Sequence, residues 1–562
     1  MKKRYITIAV LLFIFVPQIK SQVVYEPINS SVYNFLERQS VKGLITLHDE
    51  VKPFSRRLIA EKLIQVDNKK NLLSNVEVQD LKFYENDFAG EINSILKSPS
   101  ADSTRLEYFT FGQDNRFRAF DYKDSLFSIN ADPVLGFSAE RFHGSTLSHR
   151  WNGVTLYGYI SNFIGYSLNF KDNQENGNYL DGNRNFTPLP GIDNTATTYQ
   201  NRSNTLQHDE VNAMVTASWS WGSFSFGKDF INWGSSLSPT SQLILSSKAP
   251  SFPFIQLEIH PTSWLRFTYI HGFLHSGLLD STTIHSYPVP GRTNYLQIPK
   301  FIAAHFLSVD FNKNLTVSLG ESMVYSERIE PLYLIPIMFF RVADHYLSKD
   351  GSNTGSNAQV FADVSIKVPS IRSKFYSTLF IDELSITSFL ENKPGAYSVG
   401  YTLGGEIIDP FVENSSFNLE YSKISPYVYM NSNLAQTYTS YDYQLGNWIG
   451  SNGDIIYMKY TQNLLRGLAV DVWGDYIRKG SVPSAIGQYE LPYPPTLFGL
   501  RKSDKEFGLE ASYEIINDCW FKLFYNYSDI SDQDISRTPS YLLGQNKGIG
   551  FSISYGYNTL SR

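Results

Sequence analysis

A chain of 562 residues with a single cysteine cannot carry an internal disulfide framework. Its net charge of −6 gives no footprint for nucleic acid, and no later window holds about 18 consecutive apolar residues, so helical membrane spans are excluded. Aromatic residues reach 15% while charged residues are only 18%, below the roughly one quarter charged that soluble domains carry.

The start, MKKRYITIAVLLFIFVPQIKSQ, sets Lys2, Lys3 and Arg4 before an apolar core from Ile6 to Val16, with a small residue at Ser21. A secretory signal peptide is expected over 1–21, too short in its apolar part to span a bilayer. Cys519 lies far from it, so no lipid-anchor cysteine is expected. Residues 22–100 read as three short helices. Tyr33, Phe35, Leu36 and Val41 form a stripe that stops at Gly43. Ser55 caps a second helix with Leu58, Ile59, Leu63 and Ile64 on its buried side. Ser74 and Glu77 have capping-box spacing, followed by Leu81, Tyr84, Phe88 and Ile92. Their shared core would be small, so a bundle docked on the periplasmic mouth of a larger unit is expected.

From about Arg105 the apolar period changes from 3.6 to 2, as in Val154/Leu156, Ala213/Val215/Ala217/Trp219, Leu315/Val317/Leu319, Phe417/Leu419/Tyr421, Leu468/Val470/Val472, Leu509/Ala511/Tyr513 and Ile549/Phe551/Ile553. The intervening positions are mostly polar. A soluble sandwich alternates too, but rarely for so long. After an export signal, 101–562 is therefore expected to be a large antiparallel outer-membrane β-barrel. At about 25 residues per strand and connection it holds about 18 strands. The last segment ends NTLSR rather than in an aromatic residue, although Tyr557 is close. Lys171–Gln207 and Lys349–Gln359 are polar and Gly/Asn-rich, and are expected to be surface loops or loops folded into the lumen. Between Phe226 and Ile259, a Trp233–Gly234 turn leads through a Ser/Pro loop to Leu243–Leu245, then to Pro250 and Pro253, which break the strand or sit at its rim.

No HExxH, GxSxG, paired CxxC or phosphate-cradling glycine loop is present. No catalytic residue, metal site or cofactor is expected. Asp382 and Glu383 are adjacent on a strand and point to opposite faces unless a bulge intervenes. In YLIPIMFFRVADHYL, Pro336 interrupts an apolar run and Arg341, Asp344 and His345 follow. If this is barrel wall, these charges face the lumen or sit at a rim, where they hold sugar groups or form an ion-pair network. Glu321, Asp382, Glu383 and Glu420 are candidates for that network. Trp233, Tyr427, Tyr429, Tyr438, Tyr441, Tyr443 and Trp448 are candidates for stacking on sugar rings, with interfacial girdles the competing role for aromatic residues.

The stretch FGKDFINWGSSLSPTSQLILSSKAPSFPFIQLEI resembles the signature of the Wzi-type capsule-assembly family. RWNGVTLYGYISNFIGYSLNFKDN, LGESMVYSERIEPLYLIPIMFFRVADHYL, LFIDELSI, YQLGNWIGSNGDIIYMKY and the helical segment VYNFLERQSVKGLI are similar to the same family, in order along the chain. The resemblance implies an 18-stranded barrel with a periplasmic helical bundle. It also implies a non-enzymatic, lectin-like role in attaching capsular or exopolysaccharide to the cell surface. The expected partners are that polymer, outer-membrane lipid and the polysaccharide-export machinery, with the chain a monomer. A diffusion channel or transporter is the first alternative, and a membrane-embedded hydrolase or acyltransferase built on Asp382, His345 or a serine is the second.

Overall fold

The computed structural model describes residues 23–96 and 104–556, apart from 113, 115, 162, 194–203, 239–240, 284, 287–292, 350–355, 385–396 and 491. The expected signal peptide and the terminal NTLSR lie outside the described residues.

Where three N-terminal helices were expected there are four: α1 (Val32–Val41), α2 (Arg56–Asp67), α3 (Asn75–Asp87) and α4 (Ala89–Leu96). The Ser55 hydroxyl accepts from the Leu58 amide at 3.2 Å and starts α2. Ser74 and Glu77 satisfy each other's backbone amides and start α3. Gly43, at φ +78°, lets the chain turn away after α1. The stripe expected to continue through Phe88 and Ile92 breaks because Phe88 leaves helical geometry, which splits α3 from α4. Val32, Leu36, Ile59, Leu63, Leu81 and Phe88 make the common core.

The rest is a closed antiparallel barrel of eighteen strands. They are β1 (Phe127–Phe142), β2 (Ser145–Ile160), β3 (Ile164–Asn176), β4 (Thr205–Trp219), β5 (Gly222–Asp229), β6 (Phe252–Thr262), β7 (Leu265–Leu279), β8 (Gln297–Asn312) and β9 (Leu315–Ser326). The second half comprises β10 (Asn357–Val368), β11 (Ser373–Leu384), β12 (Tyr397–Ile408), β13 (Ser415–Ile424), β14 (Gly453–Leu465), β15 (Leu468–Lys479), β16 (Lys502–Ile516), β17 (Cys519–Asp532) and β18 (Gly544–Tyr555). β18 closes on β1, from Gly548 opposite Phe142 to Tyr555 opposite Leu135. A hairpin of 105–111 and 117–123 pairs with the start of β1 beside that seam. Closure leaves the ring no open edge, so all its backbone groups are satisfied without water.

One mouth carries short turns. The other carries the long connections 177–204, 230–251, 280–296, 327–356, 425–452, 480–501 and 533–543. Side chains alternate as the pleat demands: Val211 and Val215 are exposed on the outer wall, whereas Asn212, Thr216 and Ser218 are buried inside. β3 runs to Asn176, through residues expected to be loop, because Lys171, Asn173 and Glu175 all fall on the inward, wet phase. Pro253 is the second residue of β6, and Pro250 precedes that strand, so both sit at the rim.

The helices close the short-turn mouth through charge. The Lys374 ammonium lies 2.5 Å from the Asp49 carboxylate, and the Lys367 ammonium donates to the Leu47 carbonyl at 2.6 Å. Arg38 donates to the Ser415 carbonyl at 2.7 Å while pairing with Glu77 at 2.7 Å. Arg116 pairs with Asp87 at 2.7 Å, and Arg266 with Glu50 at 2.8 Å. Burial opposes ionisation of Asp49, but the two lysines outweigh it and hold the carboxyl well below the usual carboxylate range.

Candidate functional site

The lumen is filled asymmetrically. Connections 230–251 and 425–452 fold back inside, and Val23–Tyr25 enters from the bundle side. Trp233 is the centre of this plug. It is fully buried, stacks on Phe306 of β8 with ring centroids 5.5 Å apart, and donates its amide to the Leu245 carbonyl at 3.0 Å. The strand-like pair Asn232–Trp233 is hydrogen-bonded to Val51–Lys52 of the helical region, which ties plug and bundle together. Tyr429 donates its hydroxyl to the Leu243 carbonyl at 2.7 Å, and Tyr438 donates to the Ile244 carbonyl at 2.9 Å. Asp382 accepts from the Tyr429 amide at 2.6 Å and from Gln359 at 3.1 Å. Glu420 accepts from the Ser236 hydroxyl at 2.9 Å and the Leu237 amide at 2.8 Å. Two inward carboxylates thus hold the two plug loops against the wall.

The residues singled out from sequence therefore separate into groups. Trp233, Tyr429 and Tyr438 are plug core, with no ring face left for a ligand. Tyr441 stacks on His275 at 4.3 Å, the Lys248 ammonium sits 5.3 Å over the Tyr443 ring, and Tyr427 packs on Tyr493 at 4.6 Å. Trp448 packs on the edge of the same core. β11 has a backbone register shift between Ile381 and Glu383, so the strand is irregular at Asp382. The Glu383 side chain lies outside the described residues.

Two expectations change. The segment with Arg341, Asp344 and His345 is not barrel wall. It forms helix α5 (Phe340–Lys349) in the connection between β9 and β10. Glu321 does not face the lumen either. Its neighbour Ser322 is bonded to the inward Gln359, which puts Glu321 on the outer wall. There it lies 3.4 Å from His305 and accepts the Phe340 amide at 2.6 Å, at the start of α5. Pro336 signalled the break in this run, but alternation alone gives no phase for a carboxylate that is covered from outside.

The opposite half of the lumen holds a cavity of about 500 Å³. β1–β4 and β15–β18 line it, together with the described part of the 177–204 connection. Lys171 pairs with Glu210 at 3.1 Å, and Lys522 with Glu510 at 3.3 Å. Arg184 pairs with Glu175, and His149 lies 3.0 Å from Asn173. Trp151 and Trp473 lie flat along the wall because the residues directly opposite are Gly136 and Gly508. A Cβ at either glycine would sit inside the indole. None of the sugar-stacking candidates lines this space. The signal that marks it is a tryptophan on the wet phase of a strand, with a glycine at its cross-strand position.

The combination of flat aromatic faces, carboxylates, amides and cations suits recognition of a polyhydroxylated ligand. Among the described residues, no group of three or more His, Cys, Asp or Glu is placed to hold a metal ion.

No sequence-family profile and no curated protein matches the chain. Among solved structures it is similar to Wzi of Escherichia coli, described as an outer-membrane protein involved in group 1 capsule assembly and a carbohydrate-binding β-barrel. The TM-score is 0.57 at 13% identity, covering 96% of this chain and 100% of that one. OccAB1 of Acinetobacter baumannii (TM-score 0.41, 11% identity, 76% of this chain and 96% of that one) and OprD of Pseudomonas aeruginosa (0.40, 12%, 77% and 96%) align less well. The likeness to Wzi extends over the helices as well as the barrel, and the chain is an outer-membrane type barrel with that overall fold.

Proposed function

We propose that this protein is a non-enzymatic, lectin-like outer-membrane barrel that holds capsular or exopolysaccharide at the cell surface. The helical bundle faces the periplasm and the long loops face outward, and a stretch of the polymer occupies the cavity between β1–β4 and β15–β18. The observation that carries this reading is the division of the lumen: a packed plug in one half and a polar-lined cavity with tryptophan walls in the other. A diffusion channel has no use for a plug whose core is continuous with the bundle, and the similarity to Wzi favours the same reading.

The test is binding of the purified full chain to a panel of the host's surface polysaccharides, with Trp473→Ala alongside. One polymer should bind, and the variant should bind it more weakly. The reading fails if no polymer binds and deletion leaves all surface polysaccharide cell-associated. Stable large openings in a planar bilayer would favour the channel instead.

A further inference from the structure

Residues 331–349 fold back over the outside of the barrel. Tyr269 of β7 donates its hydroxyl to the Tyr333 carbonyl at 2.8 Å, and Glu321 of β9 accepts the Phe340 amide at 2.6 Å. Phe340, Ala343 and Leu347 of α5 are buried against Phe301, Ala303 and Met323 on the outer wall. Beneath the segment lie polar groups that lipid would not tolerate bare, His271 (2.6 Å from the Tyr325 hydroxyl) and His305 beside Glu321. The far side of the segment carries an apolar set, Ile337 (79% exposed), Phe339 (71%), Val342 (66%) and Tyr346 (62%), beside the exposed polar groups Arg341, His345, Ser348 and Lys349, which can reach the headgroup level. A loop in water gains nothing from presenting these apolar side chains together. Lower on the same wall the outward residues are also bare and apolar, Leu307 and Leu319 among them.

We propose that residues 331–349 lie in the bilayer on the long-loop side, with Ile337, Phe339 and Val342 among the acyl chains. The segment shields a polar patch of the wall and restores the apolar band across it. The occupant of its exposed face is lipid, because that face continues the lipid-facing surface of β8 and β9. The inference rests on the membrane reading of the barrel, so the experiment separates the two. In a Cys519→Ser background, single cysteines replace Ile337, Phe339, Val342, Leu319 or Ile486 and carry a fluorophore. Each full-length variant is reconstituted into vesicles containing lipid brominated on the acyl chains, and only variants with heat-modifiable gel mobility are read.

Labels at Ile337→Cys, Phe339→Cys and Val342→Cys should be quenched by brominated lipid and shielded from iodide, as at Leu319→Cys. Ile486→Cys, on the 480–501 connection, should show the reverse. The proposal is overturned if the three segment labels respond to iodide alone while Leu319→Cys responds to lipid. If Leu319→Cys also responds only to iodide, the membrane reading falls and this proposal with it.

Discussion

The two halves of the lumen are made from the same alternating strands, yet one is dry and the other wet. Along β6–β13 the inward positions include Phe254, Ile270, Ile302, Phe306, Phe361 and Phe380, and the plug loops bring Trp233, Leu243 and Tyr438 to meet them. Along β1–β4 and β15–β18 the inward positions are Glu140, His149, Lys171, Glu175, Glu506 and Lys522. Loop residues such as Phe186, Leu189 and Ile192 reach this half without filling it, and a cavity of about 500 Å³ remains. Inward polarity is thus not uniform around a barrel. Apolar inward residues mark where loops dock, with a few carboxylates such as Asp382 and Glu420 fixing the loop backbones, and a denser set of charges lines the half that stays open.

The same substitution in each half gives the widest contrast. Trp233→Ala opens a dry cavity and is expected to cost about 4 kcal/mol, lowering the denaturant midpoint in detergent and producing conductance in a planar bilayer. If stability and silence both persist, the plug is not what fills that half. Acid acts next, on the bundle beneath the plug. Burial opposes ionisation of Glu77, but the Lys42 ammonium, the Ser74 amide and the Arg38 guanidinium outweigh it and bring its pKa down to about 2. A depressed carboxyl stabilises the fold above its unfolded pKa of about 4.5 and loses that contribution as pH falls toward 2. On the order of 3 kcal/mol is expected to disappear over that window. Protease protection of α1–α4 followed against pH should report it, and Glu77→Gln should flatten the curve.

Trp473→Ala removes a ring that already borders hydrated space. It is expected to cost about 2 kcal/mol, the transfer cost without a dry void, and to weaken polysaccharide binding roughly tenfold. Equal losses of stability for Trp473→Ala and Trp233→Ala would erase the contrast between the halves. Arg341→Ala is the smallest. Arg341 is exposed on α5, outside both halves, so stability should move by less than about 0.5 kcal/mol with glycan affinity unchanged. A lost affinity there would move the site from the lumen to the outer wall.

Much of the fold was legible before any coordinates. Ser55, Gly43 and the Ser74/Glu77 pair mark helix ends by local chemistry, and the period-2 pattern depends only on which side of a strand meets lipid. The site is less legible, because residue type alone does not separate a ring that binds sugar from one that packs. An aromatic residue near a strand end has the same appearance whether it becomes a plug core, as Trp233 and Tyr438 do, or a cavity wall. Trp151 stands just before the Val154/Leu156 alternation, but its significance depends on Gly136, which only pairing of β1 with β2 places opposite it. Glu321 shows the same limit from outside, since nothing within β9 announces that the helix of the following connection will fold back over it.

The backbone pairing of Asn232–Trp233 with Val51–Lys52 gives the molecule a mechanical continuity from one opening to the other. The loops that define the cavity's floor cannot swing away without unpicking bonds to the helical cap. On the proposed reading, thermodynamic reciprocity requires that any protein that grips the cap and favours one plug position alters affinity for the polymer, and that the polymer alters affinity for that protein by the same factor. A scaffold of this kind would then report across a bilayer on whether the proposed polymer is aboard, with no pore opening.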